Sequence, residues 1–145
     1  MTDVSGHCLC GQVTWRAPGP VAWTAICHCE SCRRATSAPF VPWLGVADRG
    51  LDWAGPVAVH RTSAGVDRGF CDRCGTPLFY RNPVRWPGET HICALTRDDP
   101  AAFVPELHVY YDERLAWVEM RDGVPKCLGA PDDGTAPVDD ATAHD

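Results

Sequence analysis

Apolar and polar positions alternate along this chain over short stretches, and turn residues interrupt them every few positions. That is the pattern of a β-rich domain with small sheets. The stretches predict strands at Gln12–Ala17, Val21–Cys27, Phe40–Val46, Val57–Arg61, Val66–Phe70, Leu78–Tyr80, Thr90–Leu95, Leu107–Tyr111 and Ala116–Met120. No long helical period is present; short helical turns are expected at Glu30–Thr36 and near Arg97–Ala102. The expected fold class is therefore all-β, mainly β with one or two helical turns. Pro18, Gly19 and Pro20 break the first hairpin, and Arg85, Trp86, Pro87 and Gly88 mark an exposed loop. From Pro131 onward Pro, Gly, Ala, Thr and Asp follow one another without periodicity or large apolar residues, which predicts a domain over residues 1–130 and an acidic disordered tail over 131–145.

Composition narrows the class. With 145 residues, 45% hydrophobic and 22% charged, the chain suits a single globular domain. No apolar run approaches the roughly 20 residues that span a bilayer. Met1–Gly6 lacks the basic start and apolar stretch of a signal peptide, so a cytoplasmic protein without a membrane partner is expected. Formal charge is −6, but five aspartates lie in Pro131–Asp145, which leaves the body near −1 and argues against nucleic-acid binding. The six Trp, at 15, 23, 43, 53, 86 and 117, mostly fall in or beside predicted strands, where they are expected to fill a thin β core.

Nine cysteines change the picture, because in a reducing compartment close cysteine spacing points to metal binding or catalysis rather than disulfides. Seven of them form three clusters: Cys8 and Cys10; Cys27, Cys29 and Cys32; Cys71 and Cys74. In an extended strand residues i and i+2 share a face, so Cys8 with Cys10, and Cys27 with Cys29, would each present paired sulfurs. His28 would then point away, towards packing or hydrogen bonding. Phe70-Cys71-Asp72-Arg73-Cys74-Gly75 has the form of a zinc knuckle, in which a glycine with positive φ lets backbone N–H groups face the thiolates.

If each cluster stays whole, joining the two pairs gives a closed Cys₄ site from Cys8, Cys10, Cys71 and Cys74 and leaves Cys27, Cys29 and Cys32 as three ligands. Joining the triplet to either pair would leave five and two. Structural zinc sites are closed, whereas catalytic ones keep a position open. Two zinc ions are therefore expected, one structural and one that acts. Zinc with three thiolates is a weak generator of hydroxide and suits a further sulfur ligand, so a substrate thiol there would ionise near neutral pH and attack a small aldehyde.

These residues resemble the glutathione-dependent formaldehyde-activating enzymes, whose domain also occurs in centromere protein V. The resemblance is carried by Gly6-His7-Cys8-Leu9-Cys10-Gly11, by Cys27-His28-Cys29-Glu30-Ser31-Cys32-Arg33 and by Arg68-Gly69-Phe70-Cys71-Asp72-Arg73-Cys74-Gly75-Thr76. Leu95–Pro100, Pro105, His108, Trp117 and Asp122-Gly123-Val124-Pro125 extend it. It implies an Mss4-like zinc-stabilised β fold, with the pairs at a structural zinc and the triplet at an active-site zinc. It further implies a carbon-sulfur lyase that reversibly adds glutathione to formaldehyde, giving S-hydroxymethylglutathione. Ser37 stands where many relatives have glycine. Glutathione carries two carboxylates, which makes Arg33, Arg34 and Arg68 candidates to receive it. Two readings compete. One is a non-enzymatic zinc-stabilised binding module, in which Cys93, Cys127 or a histidine closes the triplet. The other is a methionine sulfoxide reductase of related fold, with a free reactive cysteine beside a zinc made from two C-x-x-C pairs.

Overall fold

The computed structural model describes residues 2–145, and they divide into two compact units. One comprises the chain up to Trp23 together with Leu44–Phe103; the other comprises Thr24–Trp43 and Val104–Asp145.

In the first unit β1 (Val4–His7), β2 (Thr14–Ala17) and β5 (Asp52–Ala54) form an antiparallel sheet in the order β1-β2-β5. Along β2 the exposed Thr14 and Arg16 alternate with buried Trp15 and Ala17, the period of a strand with one face inward. Trp15 and Ala17 pack with Val4, Leu44, Val46, Ile92 and Ala94 into the unit's larger core cluster. A longer meander runs β6 (Val57–Ser63), β7 (Val66–Cys71), β8 (Pro77–Arg81), β9 (Glu89–Cys93), all antiparallel, with β4 (Val41–Ala47) beside β9. A second cluster, Cys8, Val13, Cys71, Leu78 and Phe79, lies under the turns at one end of these strands.

In the second unit β10 (His108–Val109) pairs in parallel with β3 (Trp23–Cys27), placing His108 opposite Ile26 and Val109 opposite Cys27. The helix α1 (Glu30–Thr36) follows β3 at once, and its C-cap Ser37 takes a left-handed conformation with φ 54°. Glycine adopts that conformation without cost, whereas a serine there carries a backbone penalty.

Most strands fall where the alternation predicts them. One does not: Ala116–Met120 forms no strand, and its Trp117 is 73% exposed. That segment has apolar residues but no ladder neighbour. The short β1 and β5 escaped prediction because three or four residues carry too little alternation to read. The expected helical turn near Arg97–Ala102 is a 3-10 turn at Pro100–Ala102.

The tail expectation is corrected. Val138 exchanges two backbone hydrogen bonds with Lys126, and Asp140–Ala143 forms a short helix, α2, capped by Asp139. Asp140 accepts a hydrogen bond from Lys126 at 2.6 Å, and the Tyr111 hydroxyl meets His144 Nε2 at 2.5 Å. Specific ion pairing anchors this segment, where composition alone pointed to disorder.

Candidate metal centres

The four-cysteine group is built by two turns of the first unit. After β1 the chain reverses through Cys8-Leu9-Cys10-Gly11, with Cys8 N–H bonded to the Val13 carbonyl and Gly11 at φ 79°. Cys8 and Cys10 thus sit on a turn, not on one face of a strand as expected, because Gly11 permits the reversal immediately after His7. The second turn links β7 to β8: Cys71 N–H bonds to the Thr76 carbonyl, Gly75 N–H to the Cys71 carbonyl, and Gly75 has φ 78°. Leu9 N–H donates to the Thr76 hydroxyl at 3.1 Å and ties the two turns together.

The sulfurs of Cys8, Cys10, Cys71 and Cys74 all lie within 4.8 Å of one another. The Cys8–Cys10 and Cys10–Cys71 separations are 3.6 and 3.8 Å. A tetrahedron with zinc–sulfur bonds of about 2.3 Å has edges of about 3.8 Å, so these two separations match the edges of a coordinated site. Backbone N–H groups point at them: Val13 at Cys8 (3.3 Å), and Arg73 and Cys74 at Cys71 (3.4 Å each). The group's electrostatics also favour a cation. The Thr76 hydroxyl and backbone N–H hold the Cys74 thiol down at about 5. At Cys10 a backbone N–H favours ionisation, yet burial and the neighbouring sulfurs outweigh it and push the thiol up to about 11. Four crowded thiols cannot all ionise by themselves; a divalent cation at their centre would permit it.

The three-cysteine group belongs to the second unit. Cys27 ends β3, Cys29 is the N-cap of α1, and Cys32 lies in the helix's first turn. Their sulfurs also lie within 4.8 Å of one another, and Cys29 Sγ accepts from Cys32 N–H at 3.4 Å. Cys27 and Cys32 are buried, and Cys29 is half-buried. The adjacent Cys29 and Cys32 sulfurs, then burial, push the Cys27 thiol far above its ordinary range, the same crowding that a cation would relieve. Among the described residues, no fourth His, Cys, Asp or Glu joins this group.

His28, between Cys27 and Cys29 in the sequence, is fully buried, and its Nε2 lies 2.9 Å from His108 Nδ1. Its ring packs against Phe40 and Tyr111. Burial, reinforced by His108, pushes the imidazole down to about 4 and keeps it neutral. From His108 a polar chain continues: Nε2 to Asp122 Oδ2 at 2.7 Å, and Asp122 Oδ1 to Lys126 Nζ at 2.9 Å. Lys126, the chain's single lysine, is fully buried and also donates to the Val124 carbonyl and to Asp140. Sequence reasoning missed this chain; a lone Lys beside the Asp-Gly-Val-Pro segment was its only signal.

The arginines are occupied. Arg33 donates to the main-chain carbonyls of His28 (3.0 Å) and Glu113 (3.2 Å), tying α1 to its surroundings. Arg34 pairs with Glu30 on the exposed face of α1, and Arg68 lies over the Tyr80 ring. Cys93 and Cys127 are buried and belong to neither sulfur group.

The family described as glutathione-dependent formaldehyde-activating enzyme matches residues 3–113, well over half of the chain, and this protein belongs to that family. An uncharacterized lyase of Schizosaccharomyces pombe is 30% identical over 80 residues, which cover 55% of this chain and 58% of that protein. The match thus spans little more than half the relative's length. A crystal structure of a Rhodobacter sphaeroides protein superposes with a TM-score of 0.54 at 18% identity, covering 70% of this chain and 97% of that one. The fold is all-β and Mss4-like, as the alternation and the resemblance implied. Both sulfur groups lie inside the family match, and either could hold a metal ion. Among the described residues no helix is long and apolar enough to cross a membrane.

Proposed function

We propose that this protein is a zinc-dependent lyase of its family, with a structural zinc held by Cys8, Cys10, Cys71 and Cys74 and a working zinc held by Cys27, Cys29 and Cys32. The observation that carries this reading is the unequal ligand count: four converging sulfurs in one group and three in the other. Zinc bound by three thiolates would supply a soft electrophilic centre that lowers the pKa of a thiol ligand. The chain's own part is to hold three sulfurs in place. The start of α1 fixes Cys29 and Cys32, and the β3–β10 pairing fixes Cys27.

The substrates are a thiol, glutathione or an analogue, and formaldehyde or a related small electrophile. In the reaction the thiol sulfur forms a bond to the carbonyl carbon, the carbon–oxygen π bond opens, and the proton lost by the thiol ends on that oxygen. The product is an S-hydroxymethyl thiol, and the step is reversible. The family description and the S. pombe relative's designation as a lyase support the reaction class. The cytoplasm, with its reduced thiols, is the compartment this chemistry requires.

Purified, zinc-replete protein should accelerate the disappearance of free glutathione in the presence of formaldehyde, and Cys29→Ser should abolish the acceleration while leaving one zinc bound. A wild-type protein that binds two zinc ions without accelerating this or any thiol–aldehyde addition would support the binding-module reading instead.

A further inference from the structure

The helix α1 carries two of the three sulfurs of the three-cysteine group, yet its own sequence starts it poorly. Its seven residues are fewer than a helix needs to persist by itself in water. The N–H groups of a first turn have no partner inside the helix and need acceptors from elsewhere. Here the N-cap is Cys29, whose sulfur takes Cys32 N–H at 3.4 Å. Sulfur is a weak acceptor, and as a metal ligand Cys29 would have to divide that sulfur between the helix and the ion. The N–H of Glu30, next to Cys29, finds its acceptor 83 residues away, at Glu113 Oε1 and 3.1 Å. The main-chain carbonyl of the same Glu113 accepts from Arg33 Nη2 at 3.2 Å, and Arg33 Nε donates to the His28 carbonyl at 3.0 Å. The residues that directly follow Cys29 and Cys32 are therefore both tied to Glu113, and the residue before Cys29 is tied to Arg33.

Glu113 is itself firmly held. It ends the 3-10 turn Tyr111–Glu113, where the N–H groups of Tyr110, Tyr111, Asp112 and Glu113 bond to the carbonyls of Gly129, Cys127, Leu128 and Tyr110. Tyr110 opens this turn with φ 52°, in the left-handed region that favours glycine. Among the described residues Tyr110 and Ser37 are the non-glycine residues with positive φ. One opens the turn that holds the start of α1, and the other caps its end. Backbone strain of this kind persists where the surroundings over-determine it. We propose that Glu113 is a positioning residue for the three-cysteine site, clamping the start of α1 so that Cys29 and Cys32 present their sulfurs alongside Cys27 before a metal binds. The proposal rests on the reading of that group as a metal site given above. A ligand set ordered in advance does not have to be ordered by the ion, and so binds it more tightly. Contacts that orient ligands from outside are worth about 10–100-fold in metal affinity. Glu113 acts on the chain beside two ligands, which places its effect at about tenfold.

The test is zinc affinity, site by site. A competing chelator of known affinity should strip zinc-loaded wild type in two steps, and the step that Cys29→Ser abolishes reports the three-cysteine group. Glu113→Ala should raise the dissociation constant of that step about tenfold and leave the other step unchanged. Glu113→Gln, whose amide oxygen still accepts, should recover most of the loss. Glu30→Pro breaks the same bond from the donor side, because proline has no N–H but suits the first position of a helix and the extended Cys29 before it. Measured against Glu30→Ala, which controls for the lost pair with Arg34, it should weaken the same step to a similar extent. Combined with Glu113→Ala it should add nothing further, since both changes remove one interaction. An unchanged step in Glu113→Ala, full additivity of the two changes, or equal weakening of both steps would overturn the proposal. A Glu113→Ala protein that fails to fold does not protect it, because Glu30→Pro with no effect on the step would overturn it equally. A wild-type three-cysteine group that takes no zinc would overturn it together with the metal-site reading. The expected shifts in a protein that accelerates no thiol–aldehyde addition would uphold it and count against the lyase reading alone.

Discussion

Replacing Cys71 by Ser should destabilise this protein far more than replacing Cys29 by Ser, and the topology indicates by how much. A metal at the four-cysteine group cross-links the Cys8–Cys10 turn to the Cys71–Cys74 turn, and Cys10 and Cys71 are 61 residues apart. Treated as a chain cross-link, closing a loop of that length removes about 4 kcal/mol of unfolded-state entropy. That is a large share of the 5–15 kcal/mol of net stability typical of a domain. At about 3 °C per kcal/mol for a chain of this size, loss of the cross-link should lower Tm by about 12 °C. Burial adds to this, since Cys71 is fully buried and receives two backbone N–H groups that Ser, with a shorter bond and a smaller atom, would meet poorly. Cys27, Cys29 and Cys32 close only a local loop that β3 and α1 already fix, so Cys29→Ser should shift Tm by a few degrees at most. Circular dichroism melts under zinc-replete, reducing conditions, with metal content measured in parallel, give the comparison. Equal losses of Tm, with the unaltered site loaded in each variant, would refute the division into a structural and a working site.

Three other outcomes follow from the structure. Truncation after Pro137 removes the partners of Lys126, Tyr111 and Gly123 in the second unit, and it should lower the urea midpoint and open residues 104–130 to proteolysis; an unchanged midpoint would mean that the segment is not docked in solution. At Asp122 burial opposes ionisation, but hydrogen bonds from His108 and Lys126 prevail and hold the carboxyl well below its usual range. Its contribution is therefore complete above the unfolded carboxylate pKa of about 3.9 and disappears as pH falls towards the lower folded value, so urea midpoints should separate wild type from Asp122→Asn at neutral pH and converge below about pH 4. At Gly69 an added methyl would overlap the Phe79 ring, so Gly69→Ala should cost roughly 1–3 kcal/mol in denaturant unfolding, and a neutral substitution would show that the β7–β8 packing differs from that described.

The parts legible in the sequence were those whose chemistry is local. Cysteine spacing identified both sulfur groups, and the division into four and three rested on ligand arithmetic that needs no coordinates. Alternation located most strands, because Trp15 and Ala17 or Phe79 and Ile92 must face inward whatever their neighbours are. What escaped depends on contacts between residues far apart in the chain or on backbone detail. Cys8 and Cys10 looked like neighbours on a strand face because the i, i+2 rule presumes extended backbone, and Gly11 turns the chain there. His28 was expected to pack or hydrogen-bond, but its partner lies 80 residues away and no local pattern names it. The region after Pro131 has the composition of a disordered segment, and one carboxylate, Asp140, meeting a buried ammonium reverses that outcome. Composition averages over residues, whereas a single buried ion pair is specific to one.

The central claim, one closed and one open metal site, is tested most directly by cobalt substitution. Protein loaded with cobalt(II) in place of zinc should bind two ions per chain and show the intense charge-transfer and visible bands of thiolate coordination. Glutathione should alter the visible bands of one ion and leave the other unchanged, and Cys29→Ser should abolish the responsive component while Cys71→Ser removes the silent one. A protein that never holds more than one ion, or a two-ion spectrum that no thiol perturbs, would contradict the account.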